Sequence, residues 1–176
     1  ETPPRAVNGR GALALDGQGN AWYAVDDSGK FAKLALSTWT WTTFGGLNYN
    51  AGGSADVDRQ RQHFLILRKA SDGTPTLLRF DLQDTAALQK SPPFTTVTAS
   101  GEPPVLQSSR PGFVYADDRD RFYAWSGGQV VSSLDPATAT WTRHACTGDD
   151  PGPELNNGTY GRFRYSASYR ALVLVN

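Results

Sequence analysis

A short pattern recurs four times in the 176-residue chain: an apolar stretch ending in Asp or Ser, a four-residue polar connection, and a second apolar stretch. The copies are GALALD to AWYAV (11–25), GSADVD to HFLIL (53–67), GFVYAD to FYAWSGG (112–128) and GRFRYS to ALVLV (161–175). Five residues on from Asp16, Asp58, Asp117 and Ser166, the spacing puts the start of a second strand at Ala21, His63, Phe122 and Ala171. Self-similarity at this spacing constrains the architecture before any single residue suggests a function. It predicts antiparallel β-hairpins in series.

Each hairpin before the last continues into two further strands. FAKLAL (31–36) and WTWTTF (39–44) follow the first, and VVSSLD (130–135) and TWTRHA (140–145) follow the third. Superposing 34–42 on 134–142 aligns Leu34 with Leu134, Thr38 with Thr138, Thr40 with Thr140 and Trp41 with Trp141. Asp135-Pro136 supplies the turn, since Asp accepts from an amide two residues on and Pro presets φ near −65°. In the middle copy TLLRFDL (76–82) and FTTVTA (94–99) are the third and fourth strands, and DTAALQK (84–90) between them suits one helical turn capped by Asp84. Serial four-stranded antiparallel units predict an all-β chain whose sheets are the blades of a propeller. The expected boundaries are about 8–47, 51–99 and 110–146 for three blades of one propeller segment, with the inner hairpin of a fourth at about 159–176. A ring of this type needs at least four blades, so a further segment, a second copy or another chain is expected to complete it.

RPGFVYADDRDRFYAWSGG (110–128) followed by LDPATATW (134–141) resembles a kelch repeat, with its Gly near the start of strand one, paired Gly after strand two and an Asp-Pro turn ahead of a Trp-bearing strand four. The first copy lacks the double Gly and the Asp-Pro, and the second matches by spacing. The resemblance implies a β-propeller of the kelch and galactose-oxidase type. It also implies that Trp41 and Trp141 pack between blades. The copper ligands of galactose oxidase have no counterpart in the chain, so no cofactor is expected and that activity is not carried over.

Composition narrows the partners. Seventeen basic and seventeen acidic side chains balance with no run of either sign, which leaves no electrostatic footprint for nucleic acid. Apolar runs fall far short of the ~20 residues of a membrane span, so a soluble protein is expected. Gly contributes 18 residues and Pro 11, which suits a turn-rich β chain. Cys146 is the only cysteine, which excludes an intrachain disulfide. A start at Glu1 without Met suits a processed polypeptide, and an extracellular or periplasmic location is the expectation. Asn157-Gly158-Thr159 matches a glycosylation sequon, a triplet common by chance.

Function is expected on the face where the connections between successive blades emerge, because these are long and irregular (45–53, 100–110 and 146–160) while those between strands one and two are short and uniform. That face offers Asn48, Tyr49, Asn50, Glu102, Gln107, Arg110, Asp149, Asp150, Glu154, Asn156, Asn157 and Tyr160, joined by Asp26 and Asp27. Amides, carboxylates and aromatic rings suit sugars, since hydroxyls pair with the former and a pyranose face packs on the latter. For each residue the plain alternative is a solvated loop. Asp149, Asp150 and Glu154 could instead hold calcium or supply the acid and base of glycoside cleavage, although no calcium-loop spacing is present. Trp22, Trp41, Trp125 and Trp141 read as packing residues and Trp39 as the exposed one. His63 and His144 are expected far apart, and Cys146 is expected to be a bystander thiol without a positioned base. The first reading is a non-catalytic module that binds carbohydrate or a protein partner through these loops. The alternatives are a polysaccharide-acting enzyme using loop carboxylates, and a structural half-ring completed by another chain.

Overall fold

The computed structural model describes residues 12–25, 30–46, 52–159 and 161–175. The chain is all-β, and the strands among the described residues form four separate sheets, none closed on itself. The first sheet contains β1 (Ala12–Leu15), β2 (Asn20–Val25), β3 (Lys30–Ala35) and β4 (Thr40–Gly46) in sequence order. The second contains β5 (Ser54–Asp58), β6 (His63–Lys69), β7 (Pro75–Asp81) and, after the helical turn α1 (Thr85–Leu88), β8 (Thr95–Val97). A two-residue strand β9 (Ser100–Gly101) then joins the outer edge of the third sheet, which is otherwise β10 (Gly112–Ala116), β11 (Arg121–Trp125), β12 (Val130–Asp135) and β13 (Thr140–Ala145). The hairpin β14 (Phe163–Ser166) and β15 (Ala171–Leu174) is the fourth.

Local chemistry accounts for the connections. Asp135 Oδ1 accepts from the Ala137 amide at 2.8 Å, and the Asp84 side chain caps α1 by accepting from the Ala87 amide at 2.9 Å. The turns 59–62, 117–120, 136–139 and 167–170 all end on a left-handed residue, Gln62, Asp120, Ala139 and Arg170, with φ between 49° and 55°. Such a residue lets a four-residue turn rejoin the ladder with the right twist. The equal spacing of the repeat hides a slip, however. Asp58 and Ser166 pair directly with His63 and Ala171, whereas Asp117 lies in its turn and the pairing is Ala116 with Arg121. Phe122 is therefore the second residue of its strand, and in the first sheet β2 begins at Asn20.

Sheets pack face to face in series. One cluster joins the first sheet to the second through Trp22, Phe31, Phe64, Ile66, Leu78 and Phe80, with Phe31 and Phe80 stacked at 4.4 Å. A second joins the second sheet to the third through Leu65, Leu67, Leu77, Phe113, Phe122, Leu134 and Trp141, and a third joins Val114 and Trp125 to Phe163. Because side chains alternate across a strand, Phe64 and Ile66 face one neighbour while Leu65 and Leu67 face the other. That is why β6 reads as an unbroken apolar run. The first strands β1, β5, β10 and β14 lie side by side, each in contact with the next.

Two expectations are corrected. The connection 100–110 begins with a strand: Ser100 and Gly101 pair in parallel with Thr140 and Trp141, and Gly101 adopts φ +80° where a Cβ would collide with the Trp141 carbonyl. Trp41 and Trp141 share a repeat position but not an environment. Trp141 is 3% exposed in the cluster between the second and third sheets, whereas Trp41 is half-buried. Leu15, Ala21, Leu34 and Trp41 form one cross-strand row on the face of the first sheet turned away from the second. No described sheet packs there. Leu13 and Leu15 are accordingly about half exposed.

Candidate functional site

The two long connections following β9 and β13 meet around Glu154. Its carboxylate is 7% exposed and accepts three hydroxyl hydrogen bonds: from Ser108 (2.8 Å) and Thr159 (3.1 Å) on Oε1, and from Ser126 (2.7 Å) on Oε2. Ser126, at the end of β11, also accepts from the Gln107 amide at 2.8 Å, and Ser108 accepts from the Arg110 amide at 3.0 Å. The Arg110 carbonyl in turn accepts from the Thr159 amide at 2.9 Å. One buried carboxylate thus fastens both connections to each other and to the third sheet. Its oxygens are turned inward to the protein's own donors.

The other predicted residues are dispersed. Glu102, Gln107, Asp149, Asp150, Asn156 and Asn157 are exposed, and Arg110 is half-buried. Asp150 Oδ1 accepts from the Gly152 amide at 2.9 Å, an ordinary Asx turn. Among the described residues no group of three or more His, Cys, Asp or Glu side chains is arranged to hold a metal ion, so Asp149, Asp150 and Glu154 do not form the calcium set considered from the sequence. Asp26, Asp27, Asn48, Tyr49, Asn50 and Tyr160 lie outside the described residues. His144 meets the Ser133 hydroxyl at 2.8 Å on the third sheet, and His63 lies on the second, half-buried with its imidazole pushed toward lower pKa by burial and by Arg79. Trp39 is 74% exposed.

Sequence reasoning missed a polar system at the opposite end, where strands one and two turn. Arg61 Nη1 and Nη2 donate to the two oxygens of Asp120 at 2.7 Å, and Nη1 also reaches Asp58 at 2.9 Å. Arg59 pairs with Asp117 at 2.8 Å, Gln62 reaches the Asp16 carbonyl, and Arg170 reaches Asp118. Each turn is therefore tied to that of an adjacent sheet. The Arg61 bonds hold the Asp120 carboxyl down at about 2, and the Tyr115 hydroxyl, pushed up by burial, donates to the same carboxylate at 2.7 Å. Asp16 is also held low: burial opposes ionisation, but the Trp22 indole, the Asn20 side chain and amide and the Gln18 amide together outweigh it. Asp56, on β5, accepts from the Tyr115 amide at 2.8 Å across to β10. Burial pushes its carboxyl up against that bond and against Arg59. The only signal for this system was the complementary charge of DRQR (58–61) and DDRD (117–120), in turns that otherwise read as solvated.

The four first strands enclose a cavity of about 310 Å³, lined by Leu13, Leu15, Asp56, Tyr115, Arg164 and Tyr165 among others. All four sheets contribute to it through their first strands. The charged turns leave the C-terminal ends of β5, β10 and β14, whereas the connections after β9 and β13 enter at the N-terminal ends of β10 and β14.

No family model matches the chain, and no curated protein matches it. Solved structures do resemble it. Glutaminyl cyclase of Myxococcus xanthus aligns over 92% of this chain and 65% of its own length, with 16% identity and a TM-score of 0.52. That alignment shows a shared fold. The relative is a multi-sheet, all-β, propeller-like protein. The dihydro-heme d1 dehydrogenase NirN aligns over 92% of this chain and 32% of its own at TM-score 0.48 and 16% identity. The extracellular domain of a protein described as a hybrid two component system from B. thetaiotaomicron aligns over 77% and 17% at TM-score 0.46 and 14% identity. The chain spans less than two thirds of the length of each. No helix among the described residues is long and apolar enough to cross a membrane.

Proposed function

We propose that the chain is a segment of a β-propeller of the kelch and galactose-oxidase type, with each sheet a blade, and that it is a non-catalytic binding module. Carbohydrate or a protein partner is recognised through the long connections between blades. One observation carries this reading: Glu154 locks the connections 102–111 and 146–159 into a single platform on the third sheet. A preformed loop surface lowers the entropy cost of binding, which is what a recognition module requires. The serial packing of the sheets and the adjacency of β1, β5, β10 and β14 support the propeller, with blades at about 8–47, 51–99 and 110–146 and a fourth inner hairpin at about 159–176. Leu13, Leu15 and Trp41 then face a further blade, supplied by a longer chain or by another one.

The enzyme alternative is weaker, because a catalytic carboxylate must reach a substrate proton and both Glu154 oxygens are already engaged inside the protein. Glycan-array screening of the chain, alone and in its ring-complete form, tests the carbohydrate version. Affinity capture with the same protein tests the protein version, with an E154A variant as control. Binding that survives disruption of the Glu154 platform, or no glycan and no specific partner, removes the proposal. The extracellular or periplasmic location is part of the same proposal and is checked by fractionation of expressing cells.

A further inference from the structure

Ala124, Ser132 and Arg143 are directly paired across β11, β12 and β13 and so share one face of the third sheet. The neighbouring row on that face, Phe122, Leu134 and Trp141, is buried against the second sheet. The connection after β9 passes beside the Ala124 row, and together they form a half-open cavity of about 170 Å³, lined by Pro104, Val105, Gln107, Ser126, Ser132 and the exposed Arg143. A single bridging water needs only about 10–15 Å³ of such space, so this one admits a small organic group.

Three features give the cavity a chemistry. Ser132 is 1% exposed, yet its hydroxyl has no hydrogen-bond partner. A buried hydroxyl left unpaired is costly, and native proteins rarely keep one. The repeat sharpens the point, since Leu34 and Trp41 correspond to Leu134 and Trp141, which makes Ala32 the counterpart of Ser132 and Thr43 that of Arg143. The third sheet has therefore placed a hydroxyl where the first has the methyl of Ala32, and a cation where the first has the neutral Thr43. Arg143 takes part in none of the ion pairs among the described residues. Pro104, Val105, Ala124 and Val130 supply an apolar part of the wall, beside the polar Gln107 and Ser126.

We propose that this crevice is a binding site for a small organic monocarboxylate, whose carboxylate accepts from the Arg143 guanidinium and the Ser132 hydroxyl while its carbon body rests on Pro104 and Val105. One guanidinium matches one negative charge, and its fork fits a planar carboxylate. A phosphate dianion would leave charge uncompensated. The site adjoins the loop platform, since Pro104, Val105 and Gln107 form one wall, but the two groups that bind the carboxylate, Arg143 and Ser132, belong to the third sheet.

The test uses the 176-residue chain, titrated by calorimetry and amide NMR with butyrate and with glucuronate, against butyramide and glucose as neutral analogues. The expected result is that at least one acid binds and perturbs the amides around Ser132, Arg143 and Gln107, with its neutral analogue weaker by about tenfold or more. R143Q should weaken the acid by about tenfold, and S132A by roughly fivefold, with both variants folded by circular dichroism. Butyrate alone identifies an aliphatic acid as the source and glucuronate alone a sugar acid; either supports the site. No binding of either acid at its solubility limit, equal binding of acid and neutral analogue, or unchanged affinity in the folded R143Q variant overturns it.

Discussion

Arg61 and Asp120 meet through two parallel N–H···O bonds of 2.7 Å and thereby clasp the β5–β6 turn to the β10–β11 turn. With the Asp120 carboxyl held at about 2, below its ordinary value of 3.8, the pair contributes stability that is present above about pH 4 and lost as pH falls through about 2. Asp120 is partly exposed, so after allowance for solvent screening the contribution is about 1 kcal/mol. D120N should therefore lower stability at pH 7 by about that amount and flatten the acid limb of a urea-unfolding series between pH 4 and 2, roughly the interval over which this carboxylate titrates. An acid limb unchanged in D120N would show that the pair contributes nothing.

Glu154 offers a second test of how the loops are held. E154A leaves the hydroxyls of Ser108, Ser126 and Thr159 without their acceptor and should cost about 2–3 kcal/mol. The loss should be local in part. Hydrogen exchange is expected to accelerate at the Gln107, Gly158 and Thr159 amides well before it does in β6 or β11. Uniform acceleration across all sheets would instead make Glu154 part of the global core.

The hairpins were legible because two-residue alternation and turn chemistry are local. The slip at the third hairpin was not, since Asp117 and Asp118 both suit a turn and only the ladder shows that Ala116 pairs with Arg121. Glu154 was legible as a polar loop residue but not as a fastener, because its three donors are scattered from Ser108 to Thr159 and only the fold assembles them. The same holds for Ser132, which reads as an unremarkable strand serine until its neighbours are known. Burial was predictable where both faces of a strand are covered, as in β6. It was not predictable for Trp41, whose identity to Trp141 in sequence conceals a different neighbour.

The strand β9 supplies a prediction from backbone geometry. At Gly101 a Cβ would strike the Trp141 backbone, and φ +80° is a conformation in which L-residues are strained. G101A should cost about 2–4 kcal/mol or detach β9 from the third sheet. Detachment would appear as rapid exchange of the Glu102 amide, which donates to the Trp141 carbonyl at 3.1 Å. A G101A protein with wild-type stability and a protected Glu102 amide would contradict the parallel pairing.

Trp41 and Trp141 convert the repeat into a comparison between equal positions. Both cross-pair with a leucine, Leu34 or Leu134, so local strand context is matched. Trp141 lies in the cluster between two sheets and is 3% exposed, and W141A should cost about 3–5 kcal/mol from lost transfer energy plus the cavity left behind. Trp41 has no described sheet beyond it, so truncation removes contacts on one side only and W41A should cost about 1 kcal/mol. The two midpoints in urea, measured on the 176-residue chain, decide it. If addition of a ring-completing partner raises the W41A cost toward that of W141A while leaving W141A unchanged, the open face of the first sheet is where that partner packs. If the two costs are already equal in the isolated chain, a covering element reaches Trp41 without one.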